Sequence, residues 1–188
     1  RNPCSLLLHW SVTMNFNPLQ SVWIAYQSSQ SCFKITERVI NRAVQDKLVV
    51  KTIFYQQPET QAHSFLQLGK AESEDLFVLA VWATFERFLR SYLQTKAEKL
   101  RDLYPPALAS SFYQQLYREL EFWKPDDMLD LLKSILPGSN LIGQAKQILE
   151  YRDWVAHGKN PENHPSANIT PKFAYNTLTE IVQLIQLN

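Results

Sequence analysis

"SEDLFVLAVWATFERFLRSYL", Ser73 to Leu93, is the stretch whose pattern decides the fold. Stepped at about 100° per residue, it gathers Leu79, Trp82, Leu89 and Leu93 on one side. That spacing belongs to an amphipathic helix and not to a strand. Ser73 followed by Glu74 and Asp75 reads as its start, a capping hydroxyl with acids over the exposed amides. Pro105-Pro106 stops it after about Tyr104. One charge is out of place, because Glu86 falls on the apolar side.

The rest of the chain has the same helical punctuation. Asn17-Pro18 opens one or two helices running to about Lys51, and "QQPETQ", Gln56 to Gln61, reads as a connector. A helix follows over Ala107 to Phe122, and Pro125 supplies the first turn of a short one ending before Pro137-Gly138. Asn140 caps the next helix, which Gly158 stops. "KNPENHPSANITP" is a loop, and Thr170-Pro171 begins a last helix to about Leu187. Strand-like alternation, repeats and low-complexity tracts are absent. The fold class is all-α, a bundle of about five to seven helices.

A chain of 188 residues suits one domain with its own core, expected over residues 14–188. The segment "RNPCSLLLHWSVT", residues 1–13, fits poorly with the helical pattern of the remaining chain and reads as a leader or extension before Met14. A hydrophobic fraction of 45% argues against disorder. The net charge of +1 gives no broad basic surface for gripping duplex nucleic acid, so a nucleic-acid ligand needs a local groove. Cys4 and Cys32 form neither a metal-spaced cluster nor a disulfide framework, which points to a reducing, cytoplasmic setting. No apolar run is long enough to span a bilayer, and Leu6, Leu7 and Leu8 are too short for a secretory core, so no membrane partner is expected.

Function concentrates in "YRDWVAHGKN", Tyr151 to Asn160. On this helix Leu141, Ala145, Ile148, Leu149, Val155 and Ala156 share a side, with Arg152 in the middle of the stripe. Asp153 and His157 lie at its border, while Trp154 points away with Gln147 and Glu150. A guanidinium cannot shed its proton, so Arg152 needs a carboxylate, a ring of carbonyls, or a wet cleft that takes an anion. Glu86, the misplaced acid of the other strongly apolar helix, is the partner to expect, either neutralising Arg152 or orienting it. His157 follows about one turn later, where Gly158 lets the ring swing back toward the guanidinium. An imidazole both takes and gives a proton near neutrality. Cation and proton shuttle together suit RNA cleavage without a metal, the arginine steadying charge on the phosphorane. One chain supplies one such histidine, and a symmetric dimer supplies two across its axis.

Arg152-Asp153-Trp154-Val155-Ala156-His157 resembles the R-x4-6-H signature of the HEPN superfamily (higher eukaryotes and prokaryotes nucleotide-binding), with four intervening residues. The polar Asp153 after the arginine and the trailing "AHG" are also typical of it. The resemblance implies a HEPN-like helical bundle with the motif late in the chain. It implies a metal-independent endoribonuclease without a cofactor, working as a homodimer with a composite site and leaving 2′,3′-cyclic phosphate ends. It further implies a toxin of a toxin–antitoxin pair, with an antitoxin protein as partner, or an antiphage effector. Arg152 and His157 would be catalytic, with Asp153 and Glu86 supporting them. Some family toxins carry a modifiable tyrosine two places after the histidine. Lys159 stands there instead, which disfavours silencing by a nucleotidyltransferase. The alternative is a noncatalytic HEPN-like module that binds a nucleotide or a protein, or a plain helical protein with an internal Arg152–Glu86 pair.

Other residues carry weaker signals. Trp154 is read as an interface residue ahead of a base-stacking one, and Lys159 as a solvated lysine or a phosphate contact. The paired acids of "KPDDM", Lys124 to Met128, read as first-turn capping rather than a metal site. His63 and His164 are expected in solvent-facing loops, and His9 falls in the leader. "RSYLQTKAEKLR", Arg90 to Arg101, reads as a solvated basic face that guides RNA if it borders the dimer cleft.

Overall fold

The computed structural model describes residues 16–42, 45–136 and 140–187. Cys4, His9, Met14, the leader and the Pro137-Gly138 stop lie outside them. Among the described residues the secondary structure is helical throughout, with no strand. The helices are α1 (Gln20–Ile40), α2 (Gln45–Leu48), α3 (Glu59–Ala97), α4 (Pro106–Glu119), α5 (Pro125–Leu132), α6 (Leu141–Ala156) and α7 (Pro171–Gln186). This is the all-α bundle that the apolar spacing predicts.

The spine is α3, 39 residues and so about 58 Å long. It begins at Glu59, directly after the extended Pro58, and not at Ser73, which is interior to the helix. The reason lies in α1. Leu19, Trp23, Tyr26, Phe33 and Ile40 recur at alternating four- and three-residue steps and their multiples, a seam that packs along the first half of α3. Ile40, Ala62 and Leu66 form a small core there, with Phe33 and Phe54 against it, and Lys70 pairs with Glu37 across the seam at 3.1 Å. Burial of this apolar stripe outweighs the capping preference of one serine. The connector expected over Gln56 to Gln61 therefore stops at Pro58, and His63 lies on α3, its Nε2 2.9 Å from Asn41 Oδ1.

The main core surrounds the second half of α3. Trp82, Phe85, Leu89, Leu129, Ile148 and Leu178 are fully buried there, each contributing roughly 1.5–3 kcal/mol. Helices α6 and α7 both pack on α3, and α5 packs on α6. Trp23 stacks on Tyr175 at 4.6 Å, and Asn17 donates to Thr179 Oγ1 at 3.1 Å, tying the start of α1 to α7. Pro125 and Pro171 open their helices as expected, and the Thr170 hydroxyl caps α7 by accepting from Phe173 N at 3.2 Å. Asn140 precedes α6 without a side-chain cap.

Candidate functional site

The inward face of α6 carries Leu141, Ile142, Ala145 and Ile148, all buried. Arg152 continues that face one turn later, where it has left the core. Its side chain keeps 29% of its exposure, enough for solvent to reach the guanidinium. Val155 is half-buried and Ala156 is exposed, so the apolar stripe fades toward the end of the helix.

Arg152 is held by two acids. Its Nη1 donates to Asp153 Oδ1 at 2.6 Å, and its Nη2 reaches Glu86 Oε2 at 3.5 Å. The second contact is at the limit of hydrogen-bond range, so Asp153 is the tighter partner. Glu86 is shared. Its Oε1 accepts from Arg90 Nη2 at 2.6 Å, and its Oε2 accepts from Trp82 Nε1 at 3.1 Å. Arg90 in turn donates to the Leu120 carbonyl at 2.7 Å and to the Trp123 carbonyl at 3.2 Å. Those carbonyls belong to the turn after α4, so Arg90 pins that turn to α3. It is not on a solvated face, because neighbouring backbone acceptors draw the guanidinium inward. Arg101 lies over the Tyr113 ring at 5.3 Å.

Beside this network lies an open cleft of about 280 Å³, lined by Ala83, Glu86, Arg87, Arg90, Glu121 and Arg152. Arg87 and Gln94 both donate to Glu121, at 3.2 and 2.9 Å. The Gln94 hydrogen bond, followed by the Arg87 charge, holds the Glu121 carboxyl below the usual range. The cleft thus has three guanidiniums facing two carboxylates.

His157 ends α6 with backbone dihedrals of −93° and 16°. Gly158 and Lys159 follow at φ of 85° and 59°, both left-handed, and reverse the chain. Lys159 N bonds the Trp154 carbonyl at 2.9 Å, and Gly158 N bonds the Val155 carbonyl at 3.1 Å. Together these are the two bonds of a Schellman ending, for which glycine suits the first left-handed position. The His157 side chain is exposed and makes no hydrogen bond or ion pair among the described residues. The expected swing back onto Arg152 is therefore not seen as a hydrogen bond.

Lys159 corrects a second expectation. Its ammonium sits 2.6 Å from both Asp75 and Glu72 on α3. Hydrogen bonds to Asp75 and then Glu72 raise its pKa. It is a clamp on the reversed chain, neither a solvated lysine nor a free phosphate contact. Tyr151 shares the anchor, its hydroxyl donating to the buried Asp75 at 2.5 Å. Burial first, then Asp75, pushes the Tyr151 phenol well above its ordinary value. Trp154 closes the loop from the other side. Its Nε1 donates to the Asn160 carbonyl at 2.8 Å, and its ring lies 4.7 Å from that of His164. Trp154 is thus half-buried against its own chain. His164 is exposed on a loop, as expected, with that ring contact and its Nδ1 2.7 Å from the Pro165 carbonyl.

Family models, curated proteins and solved structures were compared with the chain, and none matches. The site therefore rests on its own geometry. In "KPDDM", Asp126 is engaged by Lys146 at 2.9 Å, and Lys146 also meets Asp130 at 2.8 Å. No cluster of His, Cys, Asp and Glu fit for a metal ion occurs among the described residues. No described helix is long and apolar enough to cross a membrane. Sequence reasoning does not find Asp75, Tyr151, Arg90 or Arg87 as parts of these networks. The signal available is Asp75 on the buried side of α3, which its place after Ser73 disguises as a capping acid.

Proposed function

We propose that the chain is a metal-independent endoribonuclease of HEPN type, acting as a homodimer with a composite site. One observation carries the reading. Arg152 stands part-exposed at the rim of a cleft, oriented by Glu86 and Asp153, with the free imidazole of His157 about a turn and a half further on, at the end of the same helix.

The chemistry follows from the groups present. The 2′-oxygen of the substrate attacks its own phosphorus while one imidazole takes the 2′-hydroxyl proton. The phosphorus–O5′ bond breaks as the second imidazole, from the other copy, protonates the leaving oxygen. The guanidinium of Arg152 meets the charge on the equatorial oxygens. Atoms and protons balance with no water consumed, and the product ends in a 2′,3′-cyclic phosphate. Arg87, 64% exposed at the same cleft, adds accessible positive charge that favours a polyanion. An enzyme of this kind fits the role of a toxin or defence effector, restrained by an antitoxin protein.

A second reading has its own support. Both terminal nitrogens of Arg152 already have carboxylate partners, and no hydrogen bond joins His157 to it. A noncatalytic HEPN-like module binding a nucleotide or a protein would look the same. A growth assay separates the two. Expression of the wild-type chain is expected to arrest growth, and His157→Ala to abolish the arrest at equal abundance. Arrest that survives His157→Ala, or no arrest from either chain, favours the noncatalytic module.

A further inference from the structure

We propose that the tip of the α1–α3 hairpin is a docking surface for an anionic lipid bilayer. This proposal stands apart from the ribonuclease reading. Glu59, where α3 leaves the tip, lies 24 residues before Ala83 in the cleft. The separation along the helix is about 36 Å.

The tip is built from the end of α1, α2 and the turn that leads into α3. Val49 is buried, and Phe54 packs on the small core of Ile40, Ala62 and Leu66. Between them the turn is held by its own bonds. Thr52 Oγ1 donates to the Val49 carbonyl at 2.7 Å and accepts from Phe54 N at 3.2 Å, and Lys51 takes a left-handed φ of 65°. With Val49 and Phe54 facing in, their neighbours face out. Leu48, Val50 and Ile53 are exposed at 61%, 46% and 66%, and Ile35 on α1 at 60%. Leu48, Val50 and Ile53 concentrate aliphatic surface within six residues of one held turn, and Ile35 lies near the end of α1, which packs beside α2.

The charge around the patch is mostly positive. Lys34 and Arg38 are exposed on α1 beside Ile35, Arg42 follows just past the end of that helix, and Lys47 and Lys51 flank Leu48 and Val50. All five bases are exposed, and none makes an ion pair among the described residues. From Lys34 to Glu59 the tip holds five bases against three acids, a net +2 in a chain of net +1. One of those acids, Glu37, is already paired with Lys70.

These features select the occupant. A second copy of the same tip would set like charges against each other. RNA would use aromatic platforms for its bases, whereas the outward residues here are aliphatic, with only Tyr55 at their edge. A bilayer surface takes both parts: aliphatic side chains enter the headgroup boundary while lysine and arginine stay at the phosphates. The expectation of no membrane partner rests on spanning length, and surface adsorption has no such requirement.

The test is co-sedimentation of the full chain with phosphatidylcholine vesicles, with and without phosphatidylserine. Binding is expected only with phosphatidylserine, and it should weaken with added salt. Each exposed base near an anionic surface is worth roughly fivefold in partitioning, so Lys47→Gln with Lys51→Gln should lose about 25-fold. Leu48→Ser with Ile53→Ser should lose about tenfold or more. These side chains are exposed and leave Val49 and Phe54 in place. Should either variant unfold, Lys34→Gln with Arg38→Gln on α1 asks the same question. Equal sedimentation with both vesicle types overturns the proposal, as does unchanged binding by the variants. Wild type that ignores vesicles but shifts single-stranded RNA through Lys47 and Lys51 assigns the tip to RNA instead.

Discussion

Replacing Glu86 with glutamine keeps the shape of the side chain and removes its charge from beneath two guanidiniums. The cost can be worked contact by contact. Arg90 meets Glu86 at 2.6 Å with 12% of its side chain exposed, so that bond keeps most of the roughly 1.5–3 kcal/mol of a charge-assisted hydrogen bond. Arg152 meets it at 3.5 Å and is 29% exposed, which reduces its share to below about 1 kcal/mol. The glutamine oxygen still accepts one bond, and that restores part of the first contact. The net loss is about 2 kcal/mol, or about 4–8 °C in Tm for a chain of this length. Thermal unfolding followed by circular dichroism at moderate salt measures it. The same reasoning ranks Arg90→Met as more damaging than Arg152→Met. A Glu86→Gln chain melting within about 1 °C of wild type would refute it, as would equal losses from the two arginine variants.

Three further perturbations test other parts of the account. Lys159→Met should cost roughly 1 kcal/mol, given a clamp with less than a third of its surface exposed. Because folding raises the Lys159 pKa, this stabilisation is fully present below the unfolded lysine value of about 10.4 and fades as pH climbs through the folded value. Melting curves should therefore show a constant gap at pH 6–9 that closes in alkali, and a gap that widens there would contradict the clamp. Phe85→Ala empties a fully buried position on α3 and should lose about 3–5 kcal/mol in urea unfolding. Gly158→Ala adds a methyl group that meets nothing within 4 Å, so its cost is the left-handed φ of 85° alone, roughly 1 kcal/mol. Gly158→Asn should lose less, and equal losses would remove the backbone explanation.

Much of the scaffold is legible in the residues. Pro125 and Pro171 start their helices where a missing N–H costs nothing, and Gly158 marks the reversal after α6. Two charges of opposite sign on apolar faces, Glu86 and Arg152, do meet. Long-range packing hides the rest. Ser73 has the chemistry of a cap, yet the α1 seam extends α3 through it by 14 residues, from Glu59 to Glu72. No local pattern tells Lys159 that its partners lie on another helix 84 and 87 residues earlier, at Asp75 and Glu72. Arg90 reads as solvated because its ligands include backbone carbonyls, which leave no trace in side-chain patterning. Spacing alone sets the imidazole of His157 against Arg152, whereas it is exposed and makes no hydrogen bond or ion pair among the described residues.

The most direct measurement is the end chemistry of an RNA incubated with the full chain in EDTA, beside the His157→Ala chain. The account predicts 2′,3′-cyclic phosphate ends from the wild type and none from the variant. His157 has no side-chain partner among the described residues, so the variant should melt at the wild-type temperature. Intact RNA in both reactions, or cutting that persists without the imidazole, would contradict it.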